Sequence, residues 1–328
     1  MKKFFVVLTV FILLCASALF LLSRGEAPSS YTYGVSFSKL RADELHLDWK
    51  ETYEAILNDL GVRHFRLVAH WPMIEPEQGI YDFEALDYQM DLAREYDADI
   101  ILAIGRRTPS WPECHTPEWA KELSPKEQNE ALLETLETVV LRYKDHEALL
   151  YWQVENEPFL TMFAYEHCGD LDTDFLDEEI ALVKTLDPGR QILITDSGNL
   201  GTWTGAYTRG DVFGTSIYRY LWNPDIGPFK SILPSSFYRA KGNVLALLYG
   251  KKEIIAIEIS AEPWLLTPIV EAPISLQLSM MNEERFADII AFSQDTYFTR
   301  QYFWGAEWWY SMKNSGRPEF WERAKKLF

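Results

Sequence analysis

From Tyr31 onward the chain alternates short apolar runs with segments whose apolar residues recur every three or four positions. The runs are Tyr33–Phe37, Val62–Ala69, Ile100–Gly105, Leu149–Val154, Gln191–Thr195, Val212–Tyr218, Glu253–Ile259 and Gln301–Ala306. Several, such as Ile100-Ile101-Leu102-Ala103-Ile104, are apolar throughout instead of alternating, as expected for parallel strands covered on both faces. Between them, Trp49, Tyr53, Ile56 and Leu60 share one helical face, and Gly61 stops it. Further stripes predict helices through Phe83, Leu86, Met90 and Ala93; Leu132, Leu136, Val139 and Tyr143; Leu176, Ile180 and Val183; Val244, Leu247 and Leu248; and Phe286, Ile289 and Ala291. Ser124-Pro125-Lys126-Glu127 reads as a capping box with proline at the first helical position. The segment Thr202–Thr208 is weakly patterned, and Pro318–Phe328 closes the chain as a short helix.

Eight runs alternating with about as many helices predict an α/β fold, a single (β/α)8 TIM barrel. A doubly wound open sheet is the competitor, but Gly34-Val35-Ser36-Phe37 is not the Gly-rich loop such folds carry. No linker or change of composition interrupts residues 31–328, which read as one catalytic domain. Ahead of it, Lys2 and Lys3 precede an uncharged stretch from Phe4 to Leu22. That length suits a bilayer-crossing helix with its start inside, so residues 1–30 read as a signal-anchor with a short linker. A cleaved signal peptide is the alternative. Both export the domain, either membrane-anchored outside the cytoplasm or secreted.

Composition narrows the partners. Hydrophobic residues make up 48% of the chain and aromatics 15%, which excludes disorder. The net charge of −18 argues against nucleic acid and leaves the N-terminal segment as the only expected membrane contact. Six histidines show no His-Glu-x-x-His spacing, and three cysteines form no metal-ligating pair. Asp170-Leu171-Asp172-Thr173-Asp174 begins like a calcium loop, but Phe175 replaces the turn glycine and Ala181 the closing glutamate. It reads instead as an acidic helix start. No metal and no cofactor is expected, and the domain reads as a monomer. Export permits a disulfide, and in a barrel Cys114 and Cys168 occupy loops on one face after neighbouring strands. A bridge between them is expected, with two free thiols as the alternative.

Barrels carry their chemistry at the C-terminal ends of the strands. The fourth run ends in Glu155-Asn156-Glu157-Pro158, and the seventh in Glu258-Ile259-Ser260-Ala261-Glu262. Two strands about a hundred residues apart thus each end in a carboxylate. Glycosidic cleavage needs such a pair, one acid to protonate the leaving oxygen and one carboxylate to meet the oxocarbenium-like centre. Glu258 and Glu262 both suit the second role by period-two counting. Glu258 is preferred because it directly follows four apolar residues, which leaves Glu262 for the loop. Glu155 must point away from its neighbours' face and reads as a buried salt-bridge partner. His70, Trp111, His115, Asp196, Arg219, Glu307 and Trp308 also follow strand ends, where either packing or sugar contact is open to them. Among these Glu307 is the candidate for hydroxyl recognition.

The Asn156-Glu157-Pro158 tripeptide resembles that of clan A retaining glycoside hydrolases, especially the cellulase-like family five and its relatives, and the likeness extends over most of residues 31–328. Arg66 resembles the clan's strand-two arginine, which supports the nucleophile. Trp71, followed by Glu75-Pro76 and Gly79, resembles the loop after that strand. Tyr218 resembles the tyrosine that bonds the nucleophile, and Trp304 the strand-eight tryptophan that stacks on the sugar. The resemblance implies Glu157 as acid/base, Glu258 as nucleophile and Asn156 as the contact of the sugar 2-hydroxyl. His70, Trp71, Arg66, Tyr218, Trp304 and Glu307 complete the expected substrate-binding set. The implied activity is cleavage of β-glycosidic bonds in poly- or oligosaccharides by double displacement. A transglycosylase remodelling surface glycan and a non-catalytic carbohydrate-binding pseudoenzyme are the alternatives, and both expected carboxylates are present.

Overall fold

The computed structural model describes residues 21–160, 165–170, 172–223, 227–265 and 267–328, together with Phe4. Most of the expected N-terminal hydrophobic helix lies outside the described residues. Among the described residues no helix is long and apolar enough to cross a membrane.

Eight parallel strands form the barrel wall: β1 (Thr32–Ser36), β2 (His64–Val68), β3 (Asp99–Ile104), β4 (Leu149–Val154), β5 (Ile192–Asp196), β6 (Val212–Ile217), β9 (Ile254–Ser260) and β10 (Arg300–Trp304). They close in the order β1-β10-β9-β6-β5-β4-β3-β2. Each falls on one of the eight apolar runs. The remaining two strands, β7 (Tyr220–Asn223) and β8 (Gly227–Lys230), pair antiparallel outside the barrel, in a stretch for which the sequence pattern predicted no element.

Helices return the chain between strands. They are α1 (Lys39–Glu44) and α2 (Trp49–Ala55) after β1, α3 (Glu84–Glu95) after β2, α4 (Pro125–Tyr143) after β3 and α5 (Thr173–Leu186) after β4. Then come α6 (Thr204–Arg209), α7 (Ser235–Tyr249), α8 (Glu283–Gln294), α9 (Ala306–Asn314) and α10 (Glu319–Ala324). Local signals account for several boundaries. Ser124 and Glu127 close a reciprocal capping box at α4, and Asp172 caps α5 by accepting from Asp174 N and Phe175 N. Gly61 ends the turn after α2 with φ of 86°, which a glycine adopts without strain.

Two apolar layers result. Ile101, Tyr151, Leu193, Val212, Ile255, Ile257 and Tyr302 pack together inside the barrel, while a larger shell joins the strands to the helices. On α7 the buried face differs from the expected stripe. Leu247 and Leu248 are 76% and 64% exposed, and Tyr238, Gly242 and Leu245 face inward. The cause is close approach: a Cβ on Gly242 would lie 2.8 Å from Ile254 Cδ1, so the helix rests on its glycine and turns its leucines outward.

One irregularity shapes the top of the barrel. Thr215 pairs with Ala256, but the next residue, Ser216, pairs with Glu258. On the opposite edge Gln301 pairs with Ala256 and Phe303 with Ile259. Strand β9 therefore carries one residue more than either neighbour, a bulge that re-aims the side chains beyond it.

Candidate active site

Arg66 organises the mouth of the barrel. It pairs in register with Ser36 and Ile101 and so points into the barrel with Ile101, where it is fully buried. A buried guanidinium needs its donors satisfied, and the ends of two other strands, β4 and β9, supply the acceptors. Nε donates to Gln153 Oε1 at 2.8 Å, Nη2 to Asn156 Oδ1 at 2.6 Å and Nη1 to Glu258 Oε2 at 2.7 Å. The Tyr218 hydroxyl donates to the other oxygen, Glu258 Oε1, at 2.5 Å. Both oxygens of Glu258 thus act as acceptors. The bulge in β9 makes this possible, because Ile255 and Ile257 already face the interior and strict alternation would turn Glu258 away.

Glu157 approaches from the end of β4. The chain turns sharply there, with Glu155 and Glu157 at φ of 57° and 46°, a left-handed region that costs a non-glycine residue about 1–3 kcal/mol and recurs at functional sites. The Glu157 amide donates to Thr195 Oγ1 at 2.7 Å, which fixes the backbone, while its buried Oε1 has no hydrogen-bond partner. Burial, then the charge of Glu258, then that of Glu113 push its carboxyl up to about 8. It therefore holds a proton at neutral pH, beside a Glu258 bound as an acceptor by Arg66 and Tyr218.

The structure adds a third carboxylate that the sequence reading did not single out. Glu113 sits in the loop after β3, receives a 3.3 Å hydrogen bond from Asn156 Nδ2 and lies 3.6 Å from Arg107 Nε. Burial, opposed by Arg107 and reinforced by Glu258, raises it to about 7. Its neighbour Cys114 is bridged to Cys168 with Cα atoms 5.3 Å apart. That expected pairing, with the candidates Trp111 and His115 on either side, drew attention to this loop but not to Glu113 itself.

Other expected contacts are spent on the protein itself. His70 donates from Nε2 to Pro109 O at 2.9 Å and packs edge-on against His115, and burial first and His115 second lower it to about 3. This bond braces the loop after β3. Trp71 is buried with its indole N–H on Glu75 Oε2, and Glu307 is buried with Oε1 accepting from Ser38 N at 2.8 Å. Each of these three expected contacts thus has a polar atom hydrogen-bonded within the protein. Asp196 likewise accepts from Ser197 N and Trp203 N, and Trp308 donates to Gln277. Trp304 is half-buried at the rim, and its N–H donates to Glu262 Oε1 at 2.9 Å. Glu262 also takes a 2.6 Å ion pair from Arg41, apart from the Arg66 cluster.

Glu155 is not a salt-bridge partner in the expected sense. Its two oxygens accept from the amides of Arg106 and Arg107, each at 2.7 Å, and it shares a hydrogen bond with buried Glu179. Burial first, and then the charge of Glu155, raise Glu179 well above its ordinary value. This pair pins the start of the loop that carries Arg107 and Glu113. Among the described residues no group of three or more His, Cys, Asp or Glu side chains is arranged to hold a metal ion.

Known proteins share parts of this design. Residues 45–134 match the sequence model of a β-galactosidase family, glycoside hydrolase family 42. The β-galactosidase Pbg of Clostridium perfringens is 30% identical over 128 residues, which take in 33% of this chain and only 18% of that protein. Among solved structures, GH5_18 from Bifidobacterium longum superposes with a TM-score of 0.58 at 13% identity, covering 84% of this chain and 70% of that one. The β-galactosidase of the haloarchaeon Halorubrum lacusprofundi gives 0.53 at 15% identity, covering 83% and 52%. The chain thus shares the (β/α)8 barrel fold of these glycosidases, and residues 45–134 carry the sequence pattern of the β-galactosidase family.

Proposed function

We propose that this clan A barrel is a retaining β-glycosidase in which Glu258 is the nucleophile and Glu157 the acid/base. The observation that carries the reading is the Arg66 bridge, which brings the β9 carboxylate and the β4 Asn156-Glu157 turn to one mouth from strands far apart in sequence. In the first step Glu258 attacks the anomeric carbon as the glycosidic C–O bond breaks, and Glu157 gives its proton to the leaving oxygen. Formation of the glycosyl ester removes the charge of Glu258. One of the causes that raise Glu157 is then gone, its carboxyl becomes more acidic, and it is poised to take a proton from water. Water attacks the same carbon, Glu258 leaves as carboxylate, and the sugar departs with its original configuration.

The partial match to β-galactosidases puts aryl β-galactosides first in a substrate panel, with glucosides, mannosides and xylosides beside them. Turnover should vanish in Glu258→Ala. Glu157→Ala should keep activity on good leaving groups, which need little protonation, and azide should rescue it. Equal, unrescued loss in both variants would reject the role assignment. Export of the domain is supported by the apolar stretch after Lys3 and by the Cys114–Cys168 bridge, which suits an oxidising compartment.

A further inference from the structure

We infer that Glu113 is a specificity-determining residue of this site, accepting a hydrogen bond from the C2 hydroxyl of the sugar whose anomeric carbon is attacked. The inference rests on the glycosidase reading above and narrows its substrates to glycosides with a free C2 hydroxyl.

The loop that presents Glu113 is tightly held. Arg107 and Cys114 form an isolated bridge, Thr108 N donates to Glu113 O at 2.8 Å, and Glu113 N donates to Ser110 O at 2.7 Å. The disulfide to Cys168 anchors the next residue, and the Glu155 carboxylate grips the amides of Arg106 and Arg107. Within this frame Ser110 and Glu113 have φ of 96° and 77°, a conformation that persists only where surrounding structure imposes it.

The contacts of Glu113 leave its acceptor capacity largely unspent. Its partners, Asn156 Nδ2 at 3.3 Å and Arg107 Nε at 3.6 Å, both reach the same oxygen, Oε2. Charge-assisted bonds that satisfy a carboxylate are nearer 2.7–2.9 Å. A quarter of the side chain, 25%, remains exposed. Asn156 is the complement. Its Oδ1 is taken by Arg66 at 2.6 Å, so its amide N–H group is what it offers outward, and that group lies against Glu113.

The position of this pair selects the sugar atom. The two Nη atoms of one guanidinium hold Asn156 and Glu258 side by side. With Glu258 on the anomeric carbon, the substituent one bond away meets Asn156 and Glu113. A hydroxyl there donates to Glu113 and accepts from Asn156 Nδ2, using both groups at once. A hydrogen at C2 uses neither, and an acetamido group puts an acyl chain where the two residues meet.

The test compares the full-length protein and Glu113→Gln on 4-nitrophenyl β-D-galactopyranoside and β-D-glucopyranoside and on their 2-deoxy counterparts. With the assay run at about pH 8, where Glu113 is mostly ionised, loss of one hydrogen bond to a charged group should lower kcat/KM on the 2-hydroxy substrates about 10- to 100-fold. The 2-deoxy substrates should change less than about threefold, since they never made that bond. Equal loss on both kinds, or no loss on the hydroxylated one, overturns the inference, provided the variant melts like the parent. Should the variant not fold, the parent protein decides alone: turnover of the 2-acetamido glycosides as fast as the 2-hydroxy ones overturns it. If the parent turns over no glycoside at all, the hydrolase reading falls. The same four glycosides titrated calorimetrically then carry the test, with the same loss of discrimination expected in Glu113→Gln.

Discussion

Replacing Glu258 by glutamine should make Glu157 a stronger acid, and this can be measured without any substrate. Glutamine keeps the shape of the side chain and removes its charge. In the parent protein Glu157 titrates at about 8, raised from 4.5 by burial first, Glu258 second and Glu113 third. At the separation of about 5.5 Å that a retaining pair requires, Coulomb's law with an effective dielectric of about 20 gives about 3 kcal/mol, or about two in pKa. That is an upper bound, because burial is the larger cause and the mouth of the barrel admits water. In Glu258→Gln the pKa of Glu157 should therefore fall to about 6–7. Arg66, relieved of its carboxylate partner, acts in the same direction. The assay is a pH titration by NMR of protein labelled with 13C at the glutamate carboxyl, the Glu157 signal being identified by its disappearance in Glu157→Gln. A resonance that still titrates near 8 in Glu258→Gln would mean the two carboxyls do not face each other. A Glu157 that titrates near 4.5 in the parent would refute the buried geometry itself.

Two further outcomes follow from individual contacts. Tyr218→Phe removes the 2.5 Å hydrogen bond to Glu258 Oε1 while keeping the ring, which packs edge-on against Trp264. Glu258 then loses one of its two tethers, and steady-state kinetics should register a fall in kcat of about 10- to 100-fold with the melting temperature almost unchanged. Reducing Cys114–Cys168, or replacing both residues by serine, opens a link across 54 residues. Urea unfolding with and without reductant should reveal about 2–4 kcal/mol of lost stability. Because the loop carrying Glu113 loses its anchor, KM should rise in the reduced protein even under conditions where it stays folded.

Much of the architecture was legible along the chain because its causes are local. A strand covered on both faces tends to be apolar at successive positions, so the eight barrel strands appeared as short apolar runs, several of them continuous like Ile254–Ile257. Helix-start signals, too, act over three or four positions, which is why the Ser124 capping box and the acidic stretch 170–174 each marked a helix start. The hairpin β7–β8 and the buried face of α7 did not appear. The first lies in a stretch with no regular pattern, and the second depends on Gly242 meeting Ile254, a contact between segments that hydrophobicity alone does not report.

For the site, the division falls in the same place. The chain by itself determined that carboxylates stand at the ends of the fourth and seventh barrel strands and that an arginine lies on the second, since strand ends follow from apolar runs. Only the folded barrel decided where those side chains point. An extra residue in β9 turns Glu258 toward Arg66 and Tyr218, while Glu262 goes to Arg41 and Trp304. Folding also gave His70, Trp71 and Glu307 hydrogen-bond partners within the protein, and brought Glu113 from an unremarked turn to the side of Asn156. Periodicity is a property of one segment, whereas side-chain direction past a bulge and the company of a loop carboxylate arise from pairing between distant ones.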